Sequence, residues 1–270
     1  MRWLYLVALA LLIMAAPAHA DTALALWKSF DGNINFTGTQ ASLRTGSNTS
    51  GTPCAVLAPS TVRSADLVLP ANAVVVSAQL YWAGSGTPDS TVTFQNTEIT
   101  ASRRFTSATI GNGFDYFGAA ADVTSLVKTG GTYKFSGLTV ANGAPWCGSQ
   151  GVLGGFSLLV VYKLATEPLR VLNIYEGFQA LRNNQTAVTA NNFRWSSSWL
   201  PTNDKARVGH IVWEGDPTIE QNGESVALDG KTLADTNNPA ANQFNSFSNV
   251  NNDKASYGID FDVYDTTVTM

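Results

Sequence analysis

A chain of 270 residues, 44% hydrophobic and 13% charged, is long enough for a substantial core and too weakly charged to be a disordered tail. Its formal charge of −4 argues against nucleic acid as a partner. Twenty-three glycines among many Asn, Ser and Thr disfavour long helices and point to an all-β chain of short strands.

Residues 1–20, MRWLYLVALALLIMAAPAHA, carry Arg2, an apolar run from Leu4 to Ala16, and the small-x-small pattern Ala18-His19-Ala20. These are the parts of a signal peptide, with cleavage expected before Asp21; an uncleaved anchor is the competing reading, and the run is short for a span. No other stretch approaches the about twenty apolar residues of a bilayer helix, so no integral membrane segment is expected after cleavage. The expected location is secreted, extracellular or at the cell surface, with the periplasm as the other oxidising destination. Loss of Arg2 makes the mature formal charge −5. The two cysteines, Cys54 and Cys147, both lie in Gly/Pro-containing loops. In an oxidising compartment they are expected to pair, and closing so long a loop stabilises by roughly 4 kcal/mol in the chain-entropy treatment.

In chain order, LALWKSF and NINFTG predict an N-terminal strand within Asp21 to Arg44, followed by the polar loop TGSNTSGTP. Ala73 to Trp82 is the next strand, and the turn cluster after it suggests a hairpin with TVTFQ at 91–95. Ala119 to Lys128 predicts the one short helix, capped near Asp122 and stopped by Gly130-Gly131. YKFSGLTV is a strand. Gly151 to Gly177 holds the longest apolar run outside the N-terminus: Phe156 to Tyr162 and Leu169 to Tyr175 read as two core strands around Glu167-Pro168, forming a buried hairpin or a sheet corner. Residues 182–204 read as a short strand and an exposed aromatic loop. Arg207 to Asp216 is a strand, Gly223 to Asp229 an edge strand, and Lys231 to Asp253 Asn-rich connecting sequence. Tyr257 to Met270 alternates, with Ile259, Phe261 and Val263 on one face and Asp260 and Asp262 on the other. Without repeats or a strong linker, residues 21–270 are expected to form one β-sandwich domain of jelly-roll character.

Several stretches together, QLYWAG (79–84), ADVTSLV (121–127), GGFSLLVVYK (154–163), LRVLNIYEGF (169–178), WEGD (213–216), NQFNSFS (242–248) and YGIDFDVYD (257–265), carry a resemblance. The chain resembles the N-terminal β-rich region of large bacterial secreted or surface proteins that often bear tandem immunoglobulin-like repeats. The resemblance implies an extracellular, structural or adhesive role and brings no catalytic residues. It also implies either an N-terminal module of a longer protein or a stand-alone relative, since the sequence ends at Met270 without repeats.

Candidate chemistry is sparse. After cleavage His210 is the only histidine, on a predicted strand and without a G-x-S-x-G elbow, so a hydrolase triad is not supported. GSQGVLGG (148–155) opens a strand rather than a helix, unlike a phosphate loop. Glu176, Glu214, Glu220 and Glu224 lie near strand ends or loops, where a glycosidase pair would need two acids about 5–10 Å apart. Asp216, Asp229, Asp235, Asp260, Asp262 and Asp265 supply hard oxygen donors suited to calcium, against the competing reading of a solvated strand face. Trp195 and Trp199, in the polar stretch RWSSSWLP, are candidate glycan-stacking rings, against the competing reading of core or lid packing. The sequence therefore predicts a non-enzymatic extracellular structural or adhesion module without a required cofactor. Its expected partners are a surface glycan or another surface protein. A carbohydrate-binding module, calcium-dependent or not, is the alternative, and a self-assembling surface subunit using the terminal strand is a third reading.

Overall fold

The computed structural model describes residues 21–47, 54–107, 113–149, 151–181, 187–194, 205–213, 215, 217 and 223–268. The expected signal peptide, Trp195, Trp199, Glu214, Asp216 and Glu220 lie outside them. Fourteen strands are present among the described residues: β1 (Thr22–Ser42), β2 (Arg63–Leu67), β3 (Val74–Ser85), β4 (Thr91–Phe94), β5 (Thr97–Thr100), β6 (Arg103–Thr106), β7 (Tyr116–Asp122), β8 (Gly131–Ser136), β9 (Gly154–Lys163), β10 (Leu169–Phe178), β11 (Lys205–Trp213), β12 (Val226–Leu228), β13 (Lys231–Leu233) and β14 (Ile259–Thr267). The fold is an all-β sandwich.

An antiparallel six-stranded sheet runs in the order β10-β1-β9-β3-β7-β6, and a four-stranded sheet in the order β2-β8-β4-β5. Between them lies an apolar core containing Leu80 and Trp82 from β3, Phe156, Leu158 and Val160 from β9, Phe94 from β4 and Phe135 from β8. Alternation in each strand sends these side chains to the shared face. The ring of Phe156 in the large sheet stacks at 5.4 Å on Phe135 in the small one, which in turn sits 5.4 Å from Phe94. Each such ring contributes about 1.5–3 kcal/mol on burial.

β1 is the organising strand. Its first half pairs with β10 and its second half, from Ile34 to Ser42, with β9. The change of partner falls between Asn33 and Ile34, just after Gly32, whose φ of 125° is open to glycine and strained for other residues. The Gly151–Gly177 segment is therefore a corner rather than a hairpin: β9 and β10 pair with successive halves of β1, not with each other. The corner is fixed by Asn33, which donates to the Glu167 carbonyl (2.7 Å), and by Arg170, which donates to the Ile34 carbonyl (3.0 Å) and pairs with Glu167.

Two expectations are corrected. Ala119–Asp122 is the end of β7, in register with Gln79–Trp82 of β3, and the predicted helix is absent. Small alanines fit a buried strand as readily as a helix, and sheet pairing overrides their propensity. Asp122 accepts from the Thr124 amide (2.9 Å) in a turn; the helical piece among the described residues is the 3-10 turn Cys147–Ser149. Nor does β3 form a hairpin with β4, because both edges of β3 are taken by β7 and β9 and the chain crosses to the other sheet. Cys54 and Cys147 are disulfide-bonded, with Cα atoms 4.8 Å apart and a sequence separation of 93.

Candidate functional site: a buried acid cluster beneath an amide-rich strap

β11 and β14 form a two-stranded antiparallel ribbon in which His210 lies opposite Asp262 and Val212 opposite Asp260. On one face of β14, Phe261 and Ile259 press on the large sheet at Gly38 and Gly155. A Cβ at Gly38 would stand 2.2 Å from Phe261 Cε1, and one at Gly155 2.2 Å from Ile259 Cδ1. The opposite face, which alternation leads one to expect in water, is also covered. Asp260 and Asp262 are both fully buried.

Residues 234–258 form the covering strap, and its amides explain how two acids are accommodated. One oxygen of each carboxyl holds the strap. Asp260 Oδ1 accepts the Asn245 amide N–H (3.0 Å), and Asp262 Oδ1 accepts the Asn249 amide N–H (2.8 Å) and Asn238 Nδ2 (2.7 Å). Asn249 Oδ1 accepts in turn from the Val263 amide (2.8 Å), extending the β14 edge by side chain instead of by strand. Asp235 shapes the strap by accepting the Asn237 and Asn238 amides (2.7 and 2.9 Å) and Asn249 Nδ2 (2.9 Å). Gln243 accepts the Tyr264 hydroxyl (2.7 Å) and donates to the carbonyls of Leu233 and Asn238.

The other oxygens, Asp260 Oδ2 and Asp262 Oδ2, make no hydrogen bond, and neither does Asn238 Oδ1. Among the described residues neither acid has a Lys or Arg partner. His210 Nε2 is 4.0 Å from Asp262 Oδ2, beyond hydrogen-bond reach. The imidazole lies edge-on to Phe244 at 5.5 Å; its side chain is 15% exposed, while both ring nitrogens are buried and unbonded. Burial lowers the His210 pKa to about 4, so the ring is neutral at pH 7. Burial first, and Asp262 second, raise the Asp260 pKa to about 9; burial raises Asp262 to about 7. At neutral pH, Asp260 is a carboxylic acid and Asp262 is in mid-titration. The cluster can hold and release protons.

The six aspartates of the sequence reading separate in space. Asp235 and Asp262 come together through Asn238 and Asn249, and Asp260, two positions before Asp262 on β14, holds the Asn245 amide. Asp265 instead binds Arg207 (2.6 Å) at the surface, and the Arg207 guanidinium holds its pKa below the usual range. Asp229 occupies the β12–β13 turn with φ 51°. Among the described residues no three His, Cys, Asp or Glu side chains form a metal-holding group. Of the four glutamates considered for hydrolysis, Glu176 is committed to Arg103 and the Tyr81 hydroxyl (both 2.7 Å). The terminal strand proposed for self-assembly pairs with β11 of its own chain.

The supporting amides Asn238, Gln243, Asn245 and Asn249 escaped the sequence reading. Their signal was the amide density of NNPAANQFNSFSNVNN, since such a run can supply the bonds that a covered acidic strand face requires. Neither a curated protein nor a solved structure matches the chain. Residues 21–267 match the family DUF3344, described as a protein of unknown function, and the chain belongs to that family.

Proposed function

We propose that the chain is a non-enzymatic structural or adhesion module of a bacterial cell exterior. The observation that carries this reading is the Cys54–Cys147 disulfide, a covalent tie across 93 positions that suits an oxidising exterior. The resemblance of its sequence stretches to secreted and surface proteins supports the same assignment. So does the use made of its acids: Asp235, Asp260 and Asp262 hold the strap in place. Beads coated with the purified exported chain test it. They should bind cells or extracellular matrix of the producing bacterium more than beads coated with an unrelated secreted β-protein; equal binding would contradict the adhesive role.

Carbohydrate binding is the second reading. Its calcium-dependent form has no metal-holding group of three acids among the described residues to rest on, and a chelator arm in any binding assay separates the two forms.

A further inference from the structure

β1 from Ile34 to Ser42 pairs with β9 along one edge, and β2 pairs with β8 along one edge. Their other edges border a groove of about 460 Å³, completed by the bend at Asn251 and Asp253. That size is within the roughly 300–1,000 Å³ of small-ligand sites.

The lining is polar, and three of its residues each have one buried side-chain atom without a partner. Gln40 is 1% exposed; its Nε2 donates to Asp253 Oδ2 (2.7 Å), while its Oε1 is buried and unbonded. Asn251 Nδ2 donates to Thr39 Oγ1 (3.1 Å) and the Gln40 carbonyl (3.2 Å), and its Oδ1 is likewise buried and unbonded. Arg63 Nε is a buried donor without an acceptor. Buried polar atoms are almost always hydrogen-bonded, so three exceptions bordering one groove call for a common explanation.

From this geometry we infer that the groove binds a neutral saccharide. A sugar hydroxyl both donates and accepts, so it satisfies the one orphaned donor and two orphaned acceptors when their side chains turn into the groove. The carboxylates of Asp66 and Asp253 outnumber the single guanidinium of Arg63 and disfavour an anionic ligand. The apolar lining consists of Ala41 and Ala65, too small a surface to receive the side chains of an extended peptide. The inference rests on the adhesive reading above and names the ligand class and the site. Its lining residues are other than Trp195 and Trp199.

The test is an array of neutral hexose and N-acetylhexosamine oligosaccharides, with sialylated and sulfated members and an extended-peptide library as separate arms. It is probed with the exported chain and with Arg63→Ala and Asp66→Asn variants, and positives are titrated calorimetrically. Arg63 makes no ion pair or side-chain hydrogen bond, so Arg63→Ala should retain the wild-type melting temperature. The expected result is binding of neutral oligosaccharides that weakens at least about tenfold in Arg63→Ala. Neutral-sugar binding unaffected by Arg63→Ala would overturn the inference, as would binding confined to anionic glycans, peptides, or nothing. Bead attachment that persists when the neutral-sugar arm is blank would leave the adhesive reading standing and remove only this inference; loss of both would remove both.

Discussion

The guanidinium of Arg103 in β6 clasps the carboxylate of Glu176 in β10 through two bonds, Nε–Oε2 at 2.7 Å and Nη2–Oε1 at 2.9 Å. These strands are the first and last of the six-stranded sheet. The pair therefore ties together the two ends of a curled sheet, with Trp27 of β1 stacked 4.0 Å from the guanidinium and the Tyr81 hydroxyl donating to the same carboxylate. Burial, with Glu176 next, pushes the Tyr81 pKa well above its ordinary value, so the phenol remains a donor.

Breaking that pair from one side leaves a charge in a largely buried place, with side-chain exposures of 18% and 8%. Arg103→Met should lower stability in urea denaturation by about 3 kcal/mol. The double variant Arg103→Met/Glu176→Leu should recover much of the loss, because no unpaired charge remains. A single variant as stable as wild type would show that the clasp is dispensable.

The buried acids give a pH dependence of definite sign. In the unfolded chain both carboxyls release their protons near pH 3.9. Folded Asp262 holds its proton to about 7 and Asp260 to about 9, so folding takes up protons between those values. Their favourable contribution is complete below pH 4 and is lost as pH rises through the folded pKa values, at up to about 1.4 kcal/mol per pH unit for each protonated carboxyl. His210, lowered to about 4, acts in the opposite direction only below its unfolded value near 6.5. Between pH 6.5 and 8.5, urea denaturation in chelator should show falling stability, and Asp260→Asn should flatten the slope. A stability that is constant or rising over this interval would contradict the assignment.

Two glycines separate backbone crowding from side-chain crowding. At Gly155 the nearest atom to an added Cβ is the end of Ile259, at 2.2 Å, with the Ala41 carbonyl at 3.0 Å. At Gly38 the Leu158 carbonyl also stands only 2.5 Å away. Gly155→Ala should cost about 1–3 kcal/mol and be largely rescued by Ile259→Ala; Gly38→Ala should be more damaging and resist rescue by Phe261→Leu, since a carbonyl cannot be trimmed. Thermal melts of the four variants decide this, and equal rescue at both positions would show that the β11–β14 ribbon moves freely over the sheet.

Removing the disulfide with Cys54→Ala/Cys147→Ala should destabilise by roughly 4 kcal/mol through the freed loop of the unfolded chain. Denaturant midpoints with and without reductant measure this on the wild-type chain. Unchanged midpoints would show that the bond ties a segment already held by the sheets.

Much of this architecture was legible in the residues. Period-two alternation marked β1, β10 and β14, the longest apolar run outside the N-terminus marked β9, and two cysteines in an expected oxidising compartment left one pairing. Ala119–Asp122 was misread because a run of small residues carries no period, and only the occupied register against β3 makes it a strand. The β14 pattern was read correctly as alternation, but alternation does not say whether the polar face meets water. That depended on residues 234–258, whose Asn and Ser side chains bond across the strap without any sequence period. The groove at Gln40, Arg63 and Asn251 was invisible for a related reason: it joins positions more than 200 apart through two unpaired strand edges.

The most direct measurement of the structural or adhesive role is deletion of the gene followed by quantified surface attachment, matrix content and envelope morphology, with complementation by the wild-type chain. The proposal predicts reduced attachment or altered matrix or envelope architecture, restored on complementation. Attachment, matrix and envelope all indistinguishable from the parent would contradict it.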